Sequence, residues 1–174
     1  MRMFIAVTLP AEVKKRIGEL INELKKSDGN VKWVAEENVH LTLKFIGEVV
    51  EGQLAGLIAR TEKQAGGTGR FTINLEGIGT FPAGHQPRVV WVGVGSGRDK
   101  LENLARSLAA PDFVAHATIG RIKDGKKGVD GLRGKLAGLG APVFGEAPVD
   151  SFQIMKSTLT PQGPVYEIIK EVRL

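Results

Sequence analysis

The sequence predicts an α+β protein whose strands pair antiparallel. Of the 174 residues, 42% are hydrophobic and 25% are charged, a balance typical of a globular chain. Segments with strand and helix periodicity alternate irregularly. Two pairs of strand segments follow one another with no helix between them, 70–78 with 88–94 and 149–157 with 165–172. Such pairs disfavour a parallel, doubly wound sheet, in which a helix separates consecutive strands.

The chain opens with a strand and a helix. Residues 2–8 form an apolar run with the length of a buried strand. Pro10 suits the first turn of a helix, where its missing N–H is no loss. We expect this helix to end near Gly29. Its apolar residues recur on one face: Val13, Ile17, Leu20, Ile21 and Leu24.

A second strand and helix follow. Residues 39–46 alternate between apolar and polar side chains, which predicts a strand that Gly47 closes. A helix is expected over about 51–65, where leucine and isoleucine recur at helical spacing. The pair Gly66 and Gly67 stops it, since glycine is a poor helix former.

The second half of the chain continues in the same irregular order. A helix is predicted over about 98–109 and a strand over 113–120. Residues 128–140 have leucines at helical spacing, although their glycines weaken a helix. The segments 149–157 and 165–172 flank a turn rich in proline and glycine, so we expect a terminal hairpin.

Charge and cysteine content narrow the function. Lysine and arginine number 24 against 19 aspartate and glutamate, giving a net charge of +5. This excess favours a polyanionic partner such as nucleic acid. The lack of cysteine excludes a disulfide framework, a thiol nucleophile and a cysteine-ligated zinc site. The opening apolar run is too short for a signal peptide or a membrane span, so we expect a cytoplasmic protein.

One four-residue pattern, His-x-Thr-apolar, occurs twice. It reads HLTL at 40–43 and HATI at 116–119, and it contains two of the three histidines. With nine threonines in 174 residues, two chance matches among three histidines have a probability of roughly one in a hundred. The repeated pattern therefore indicates a functional pair.

Strand geometry places each histidine beside its threonine. Side chains two residues apart project from the same face, so His40 and Thr42 point together, as do His116 and Thr118. An unpaired buried polar group costs roughly 1–3 kcal/mol, so a polar pair on an apolar strand needs a partner or a cleft. Two such strands facing each other make that cleft, whereas two separately satisfied sheet histidines are the alternative.

The same alternation assigns the neighbours of the first motif. Leu41, Leu43 and Phe45 are expected to cover the core face of the strand. Lys44 shares the face of His40. It either adds positive potential to the groove or lies at a solvated edge.

The two motifs point to acid–base chemistry. An unperturbed imidazole has a pKa of about 6.5, so near neutral pH one ring can be protonated while the other is neutral. Threonine hydroxyls can donate hydrogen bonds to phosphoryl oxygens on which charge develops. Two histidines without an acidic ligand pattern are too few for a metal site, and GVGSG at 93–97 lacks the spacing of a nucleotide-binding loop. We therefore expect neither metal nor cofactor.

Four stretches of the sequence carry a family resemblance: RMFIAVTLP at 2–10, HLTLKFIGEV at 40–49, FPAGHQPRVVWVGV at 81–94 and HATIGRIK at 116–123. They resemble the 2H phosphoesterase superfamily, in particular the RNA 2′,3′-cyclic phosphodiesterases (2′-5′ RNA ligase-like proteins) of bacteria and archaea. The resemblance implies two pseudo-symmetric lobes of antiparallel sheet, with flanking helices, around a central groove. It also implies that residues 1–174 form a single bilobal domain.

The resemblance also implies roles for the site residues. His40 is expected to be the proton donor and His116 the proton acceptor, while Thr42 and Thr118 bind phosphate. The implied activity is hydrolysis of RNA 2′,3′-cyclic phosphate ends to 2′-phosphate ends without a metal. Ligation of RNA ends through a 2′-5′ linkage is one alternative. A non-catalytic module that binds RNA ends is another, and we expect a monomer in each case.

Arg121 follows the second motif, as an arginine does in the family, and is a further phosphate-binding candidate. Strict alternation places it on the opposite face from His116 and Thr118 unless the strand ends or bulges at Gly120.

Aromatic side chains offer places to stack a terminal base, with core positions as the alternative. The candidates are Trp33, Phe81, Trp91 and Tyr166. His85 lies between prolines without a threonine two positions on, so we expect it at the surface or at the rim of the substrate site.

Overall fold

Nine strands and four helices make up the part of the chain that the structure describes. The computed structural model describes residues 1–27, 30–84, 86–123 and 129–174. The strands are β1 (Arg2–Thr8), β2 (Val31–Trp33), β3 (His40–Glu48), β4 (Phe71–Phe81), β5 (Val89–Val94), β6 (His116–Ile122), β7 (Val143–Val149), β8 (Ser151–Thr160) and β9 (Gly163–Arg173). The helices are α1 (Ala11–Leu24), α2 (Leu54–Ala65), α3 (Arg98–Ser107) and α4 (Val129–Gly138).

The strands form two antiparallel sheets. Sheet A has the order β3-β1-β8-β9, and sheet B has the order β2-β6-β5-β4-β7. Every strand pair is antiparallel. The succession β1, α1, β3, α2 in the first half matches β5, α3, β6, α4 in the second, and each motif strand pairs with the strand that opens its half. The α+β fold with two pseudo-symmetric lobes is therefore confirmed.

The two halves exchange strands. After α2, the chain leaves sheet A and enters sheet B as β4, which pairs with β5. After β7, it returns to sheet A as β8, which pairs with β1. The chain passes between the two sheets before β2, before β3, before β4 and before β8. Each lobe is consequently built from both halves of the sequence.

Buried apolar side chains from both sheets and from all four helices form one hydrophobic core. Helix α1 contributes the stripe that its periodicity predicts, with Val13, Ile17, Ile21 and Leu24 buried. Removing such a stripe from water is the main source of a helix's stability in a protein. The core leaves the motif strands with one buried face and one face free for the groove.

Two strands were not predicted from the sequence. β2 has three residues, which is too short for a periodicity to appear. β7 contains Gly145 and Pro148, residues that usually interrupt a strand. β7 lies at the edge of sheet B, where a proline without an N–H donor is tolerated.

Some predicted boundaries were also wrong. Helix α1 ends at Leu24 rather than near Gly29. Strand β3 continues past Gly47, which has a φ of +92° within the strand, and β6 begins only at His116. The glycine-containing segment forms helix α4, with Val129 and Leu132 buried against the core.

Both motif strands have a β-bulge directly after the threonine. In β3, Thr42 lies opposite Ala6 and Lys44 opposite Ile5, so Leu43 is an extra residue. In β6, Thr118 lies opposite Trp91 and Gly120 opposite Val90, so Ile119 is the extra residue. An extra residue reverses the faces of all side chains that follow it.

None of the helices in the described ranges has both the length and the apolar character of a membrane span. The single bilobal domain over 1–174 stays a prediction.

Candidate active site

The two motif strands, β3 of sheet A and β6 of sheet B, contact each other where the sheets meet. A cavity of about 860 Å³ opens between sheet A and sheet B at this point. Its walls include all four motif side chains, His40, Thr42, His116 and Thr118, each of them half-buried. The fold thus places both motifs in the same groove.

The His40 ring is held in one orientation by hydrogen bonds to both nitrogens. Its Nδ1 atom lies 2.7 Å from the carbonyl oxygen of Asn38, and its Nε2 atom lies 3.0 Å from Oγ1 of Thr42. Because a carbonyl oxygen only accepts, Nδ1 carries a proton. In the neutral ring Nε2 then accepts from the Thr42 hydroxyl, and in the protonated ring it donates.

The second motif repeats the hydrogen bond of Nδ1. Nδ1 of His116 lies 2.7 Å from the carbonyl oxygen of Val114, so the same argument puts a proton on Nδ1. The acceptor is two residues before the histidine in both motifs. Each neutral ring therefore keeps its lone pair on Nε2, which suits transfer of a proton to or from a bound substrate.

Aromatic rings support both imidazoles. The centroid of the His40 ring lies 5.2 Å from those of Phe4 and Tyr166, with Tyr166 edge-on. The ring of Phe81 meets His116 edge-on at 5.1 Å. Such contacts contribute about 0.5–1.5 kcal/mol each and restrict ring rotation. They fix where each Nε2 atom lies in the groove.

The bulge in β6 decides the position of Arg121. After the extra residue Ile119, Arg121 projects on the same side as Thr118, and its exposed side chain lines the cavity. No ion pair with another described residue holds its guanidinium group. The strand does bulge, so Arg121 shares the face of Thr118 and can contact a phosphate.

The bulge in β3 makes two predictions wrong. Lys44 points away from the groove, and its Nζ atom donates to the carbonyl oxygen of Leu108 at 2.6 Å. Phe45, expected in the core, is 70% exposed and lines the cavity. Strict alternation failed at both residues because Leu43 is an extra residue in the strand.

The aromatic candidates for base stacking occupy different environments. Phe81, Tyr166 and Trp33 line the cavity. Trp91 does not, since its ring packs against Phe81 at 5.2 Å and covers Gly79. Its Nε1 atom is buried without a hydrogen-bond partner among the described residues.

Trp33 of β2 also packs against Gly120 of β6. A Cβ atom at Gly120 would lie 2.8 Å from the Trp33 ring, so only glycine fits between them. The prediction for His85 lies outside the described residues.

Metal ligands do not cluster in the described ranges: no three histidine or acidic side chains there are placed to share an ion. The charged side chains that line the cavity are Arg2, Lys32, Glu37 and Arg121, three cationic and one acidic. The groove is thus suited to an anionic ligand.

Burial lowers the pKa of His40 below its usual value. The hydrogen bond to the Asn38 carbonyl opposes this effect, and the positive charge of Lys14 lowers the pKa further. In the free protein the neutral ring is therefore favoured. A bound phosphate would raise the pKa, because an opposite charge nearby stabilises the imidazolium ion.

We expect the His40 imidazole of the free protein to titrate below the ordinary value of about 6.5. Lys14→Gln should raise this pKa because it removes a positive charge, whereas Lys15→Gln on the exposed side of α1 should change it less. NMR of the ring nitrogens over a pH series measures both. Titration of the free protein at or above 6.5 would contradict the prediction.

The same shift fixes how His40 affects stability. Because the folded state has the lower pKa, the unfolded chain binds the proton more readily. The contribution of His40 to the free energy of unfolding is therefore complete above about pH 6.5 and is lost as the pH falls.

Known proteins match the sequence along nearly all of its length. A family model described as LigT like Phosphoesterase matches residues 7–91. An RNA 2′,3′-cyclic phosphodiesterase of Thermotoga maritima is 36% identical, over 98% of this chain and 94% of its own length. The chain belongs to the LigT-like phosphoesterase family. An RNA 2′,3′-cyclic phosphodiesterase of Archaeoglobus fulgidus is also 36% identical, and the match covers 98% of each chain.

Solved structures of the family share the fold. TT0787 of Thermus thermophilus superposes with a TM-score of 0.75 at 29% identity, covering 100% of this chain and 98% of the other. LigT of E. coli in complex with 3′-AMP gives 0.76 at 25% identity, with 99% and 96% covered. The resemblance seen in the sequence is therefore confirmed at the level of the family and its fold.

Sequence reasoning missed several groups that shape the site. The backbone carbonyls of Asn38 and Val114 give no sequence signal, and the ring contact of Phe4 with His40 depends on pairing between strands. Phe45 could have been found by comparing the motifs, because it and Arg121 occupy the same position, three residues after the threonine.

Proposed function

We propose that this chain hydrolyses RNA 2′,3′-cyclic phosphate ends to 2′-phosphate ends by acid–base catalysis between His40 and His116. The observation that carries the proposal is the pair of Nδ1-anchored imidazoles in one cationic groove. The relatives described as RNA 2′,3′-cyclic phosphodiesterases support the substrate class. The chain is an enzyme of this type.

The reaction needs one proton acceptor and one proton donor. Neutral His116 takes a proton on Nε2 from a water molecule, whose oxygen attacks phosphorus opposite the P–O3′ bond. That bond breaks, and protonated His40 gives its Nε2 proton to the departing O3′. The products are a 2′-phosphate monoester and a free 3′-hydroxyl, and solvent exchange restores both rings.

The remaining groups stabilise the charge that develops on phosphorus. Thr42 and Thr118 donate hydroxyl hydrogen bonds to the non-bridging oxygens, and Arg121 supplies a positive charge beside them. Donors fixed before the reaction are worth more than water because they need no reorganisation. When His40 is protonated, its Nε2–H donates to Oγ1 of Thr42, which leaves the Thr42 hydroxyl proton free for a phosphoryl oxygen.

The product should be the 2′-phosphate, formed at an undiminished rate in the presence of EDTA. This follows from His40 acting on the O3′ side and from a mechanism in which both catalytic groups are side chains. Phosphorus NMR of the product of a 2′,3′-cyclic nucleotide distinguishes the isomers. Predominant 3′-phosphate would reverse the roles of the histidines. Activity lost on chelation and restored by a divalent metal would refute the two-histidine mechanism.

Ligation through a 2′-5′ linkage uses the same groups in the same roles, with an RNA 5′-hydroxyl in place of water: His116 accepts the hydroxyl proton and His40 protonates the departing O3′. A non-catalytic module that binds RNA ends would use the same groove without turnover. A single-turnover assay with an oligonucleotide bearing a cyclic phosphate separates hydrolysis from binding alone. A cytoplasmic location and a monomeric state stay predictions.

A further inference from the structure

The cavity has two chemically different walls. Sheet A contributes apolar side chains that are open to solvent, Phe45 at 70%, Leu159 at 68% and Val165 at 57% exposure. Sheet B contributes two cations, Lys32 and Arg121, which lie opposite each other on neighbouring strands, beside the rings of Trp33 and Phe81, while sheet A adds the cation Arg2. Large apolar side chains exposed inside a binding groove commonly mark a contact with a ligand.

The difference is sharpest at equivalent positions of the two motifs. Phe45 and Arg121 both follow the motif threonine by three residues, and in both strands a bulge turns that residue into the groove. The histidines and threonines by themselves are related by the pseudo-symmetry of the fold. An aromatic ring on one side and a guanidinium group on the other break that symmetry.

The two walls approach each other at Tyr166. Burial raises the pKa of this tyrosine, and the positive charges of Arg121 and Arg2 oppose the increase. Arg121 of sheet B therefore lies close enough to act on a side chain of sheet A. Because Tyr166 and Arg121 line the same cavity, a ligand that fills the groove can contact both walls.

Phe45 is supported from behind. Its ring lies 6.5 Å from that of Phe4, and Phe4 in turn lies 5.2 Å from Tyr166. Phe4 is 4% exposed and packs with Met155 in a small cluster of its own. The Phe45 ring thus rests on a fixed base while one side stays free, as a stacking surface for a planar group requires.

We propose that an RNA end lies across the groove in one direction: the nucleobase of the terminal nucleotide stacks on Phe45, Arg121 contacts the cyclic phosphate, and the preceding phosphates lie over Lys32. This inference rests on the proposed function, which supplies an RNA end as the ligand. An RNA end combines a planar apolar base with a polyanionic backbone, and the two walls match these parts.

The apolar character of the sheet A wall also predicts how selective the site is. Every nucleobase has a stacking face, so a platform formed by the Phe45 ring accepts all four bases. Purines should bind more tightly than pyrimidines because their stacked area is larger.

Two cyclic phosphate substrates test the contact with the base: adenosine 2′,3′-cyclic phosphate and 1-O-methylribose 2′,3′-cyclic phosphate, which lacks the base. Phe45→Ala should lower kcat/KM for the adenosine substrate by about 5- to 150-fold, chiefly through KM. It should leave kcat/KM for the base-free substrate unchanged. Phe45→Trp should retain the activity on adenosine.

The comparison separates stacking from an indirect effect through Phe4 on His40. Equal losses on both substrates in Phe45→Ala would mean that Phe45 acts through the protein, and no loss on either would mean that it contacts nothing. Both results would overturn the inference. Wild-type protein that turns over neither substrate would refute the proposed function itself. Ile168→Ala, an exposed apolar residue of sheet A outside the cavity, is the matched control and should affect neither substrate.

The opposite wall is tested with chain length. Lys32→Gln should weaken binding of a pentanucleotide ending in a cyclic phosphate several-fold at low salt, and less as salt increases. It should lower kcat/KM for the cyclic mononucleotide less, because that substrate has no preceding phosphate. Equal effects on the two lengths would place the RNA backbone elsewhere.

Discussion

His40→Ala and His116→Ala should each lower kcat/KM for a 2′,3′-cyclic nucleotide by at least about 100-fold. Each histidine provides a proton transfer, and a positioned general acid or base typically contributes 10²–10⁴-fold. The structure gives each ring one task, because Nδ1 is bound to a backbone carbonyl and only Nε2 is left to exchange a proton with the substrate. No other described side chain of the groove has an unperturbed pKa near neutrality.

The losses should not multiply. The two proton transfers act together in one reaction step, so once one is missing the other contributes little. The double variant should therefore lose far less kcat/KM than the product of the two single losses. Thr42→Ala and Thr118→Ala should lose less than the histidine variants, because each hydroxyl supplies one hydrogen bond. Circular dichroism and thermal unfolding check that the fold is kept. A single histidine variant with nearly wild-type kcat/KM would remove that histidine from the mechanism.

Gly97→Ala should destabilise the protein by about 3–5 kcal/mol, a large part of the 5–15 kcal/mol typical of a domain. Gly97 precedes α3 with a φ of +81°, in the left-handed region. A Cβ atom there would overlap the carbonyl oxygen of Thr72 and press on Ile73. Those atoms belong to β4, whose hydrogen bonds to neighbouring strands prevent it from moving aside.

Gly67→Ala is the matched control for Gly97→Ala. Gly67 has a similar φ of +91°, but its Cβ atom would meet nothing within 4 Å. Gly67→Ala should therefore lower the free energy of unfolding only through the unfavourable left-handed φ, by about 1–2 kcal/mol. Urea unfolding monitored by circular dichroism gives both free energies. Equal losses in the two variants would show that β4 yields and that the contact with Thr72 carries no cost.

Local periodicity predicted the elements where one face of a segment is buried and no irregularity intervenes. The stripe of α1 and the pairing of His40 with Thr42 follow directly from this rule. It held through Leu43, which is buried as predicted, and failed from Lys44 onward, because the bulge at Leu43 depends on how β3 pairs with β1 and leaves no mark in the sequence of a single strand. A β-bulge in β6 likewise determined which face of the strand Arg121 occupies, a question that the sequence left open.

Long-range pairing was equally invisible in the sequence. Nothing in the residues of β4 or β8 indicates that each joins the sheet of the other half. β7 was missed because Gly145 and Pro148 are unfavourable in most strands and become acceptable only at a sheet edge. The doubled motif was informative because the residue types alone predict acid–base chemistry, and this prediction does not depend on how the strands pair.

The exchange of strands between the lobes restricts how the enzyme can move. Two lobes joined by one linker could open and close about a hinge, but here the chain crosses between the sheets before β2, β3, β4 and β8. A hinge motion would have to bend all these connections at once or break the ladders of β1 with β8 and β4 with β5. Substrate capture should therefore proceed by adjustment of side chains in a preformed groove, without closure of the lobes. Turnover would then be limited by proton transfer or product release rather than by a domain movement.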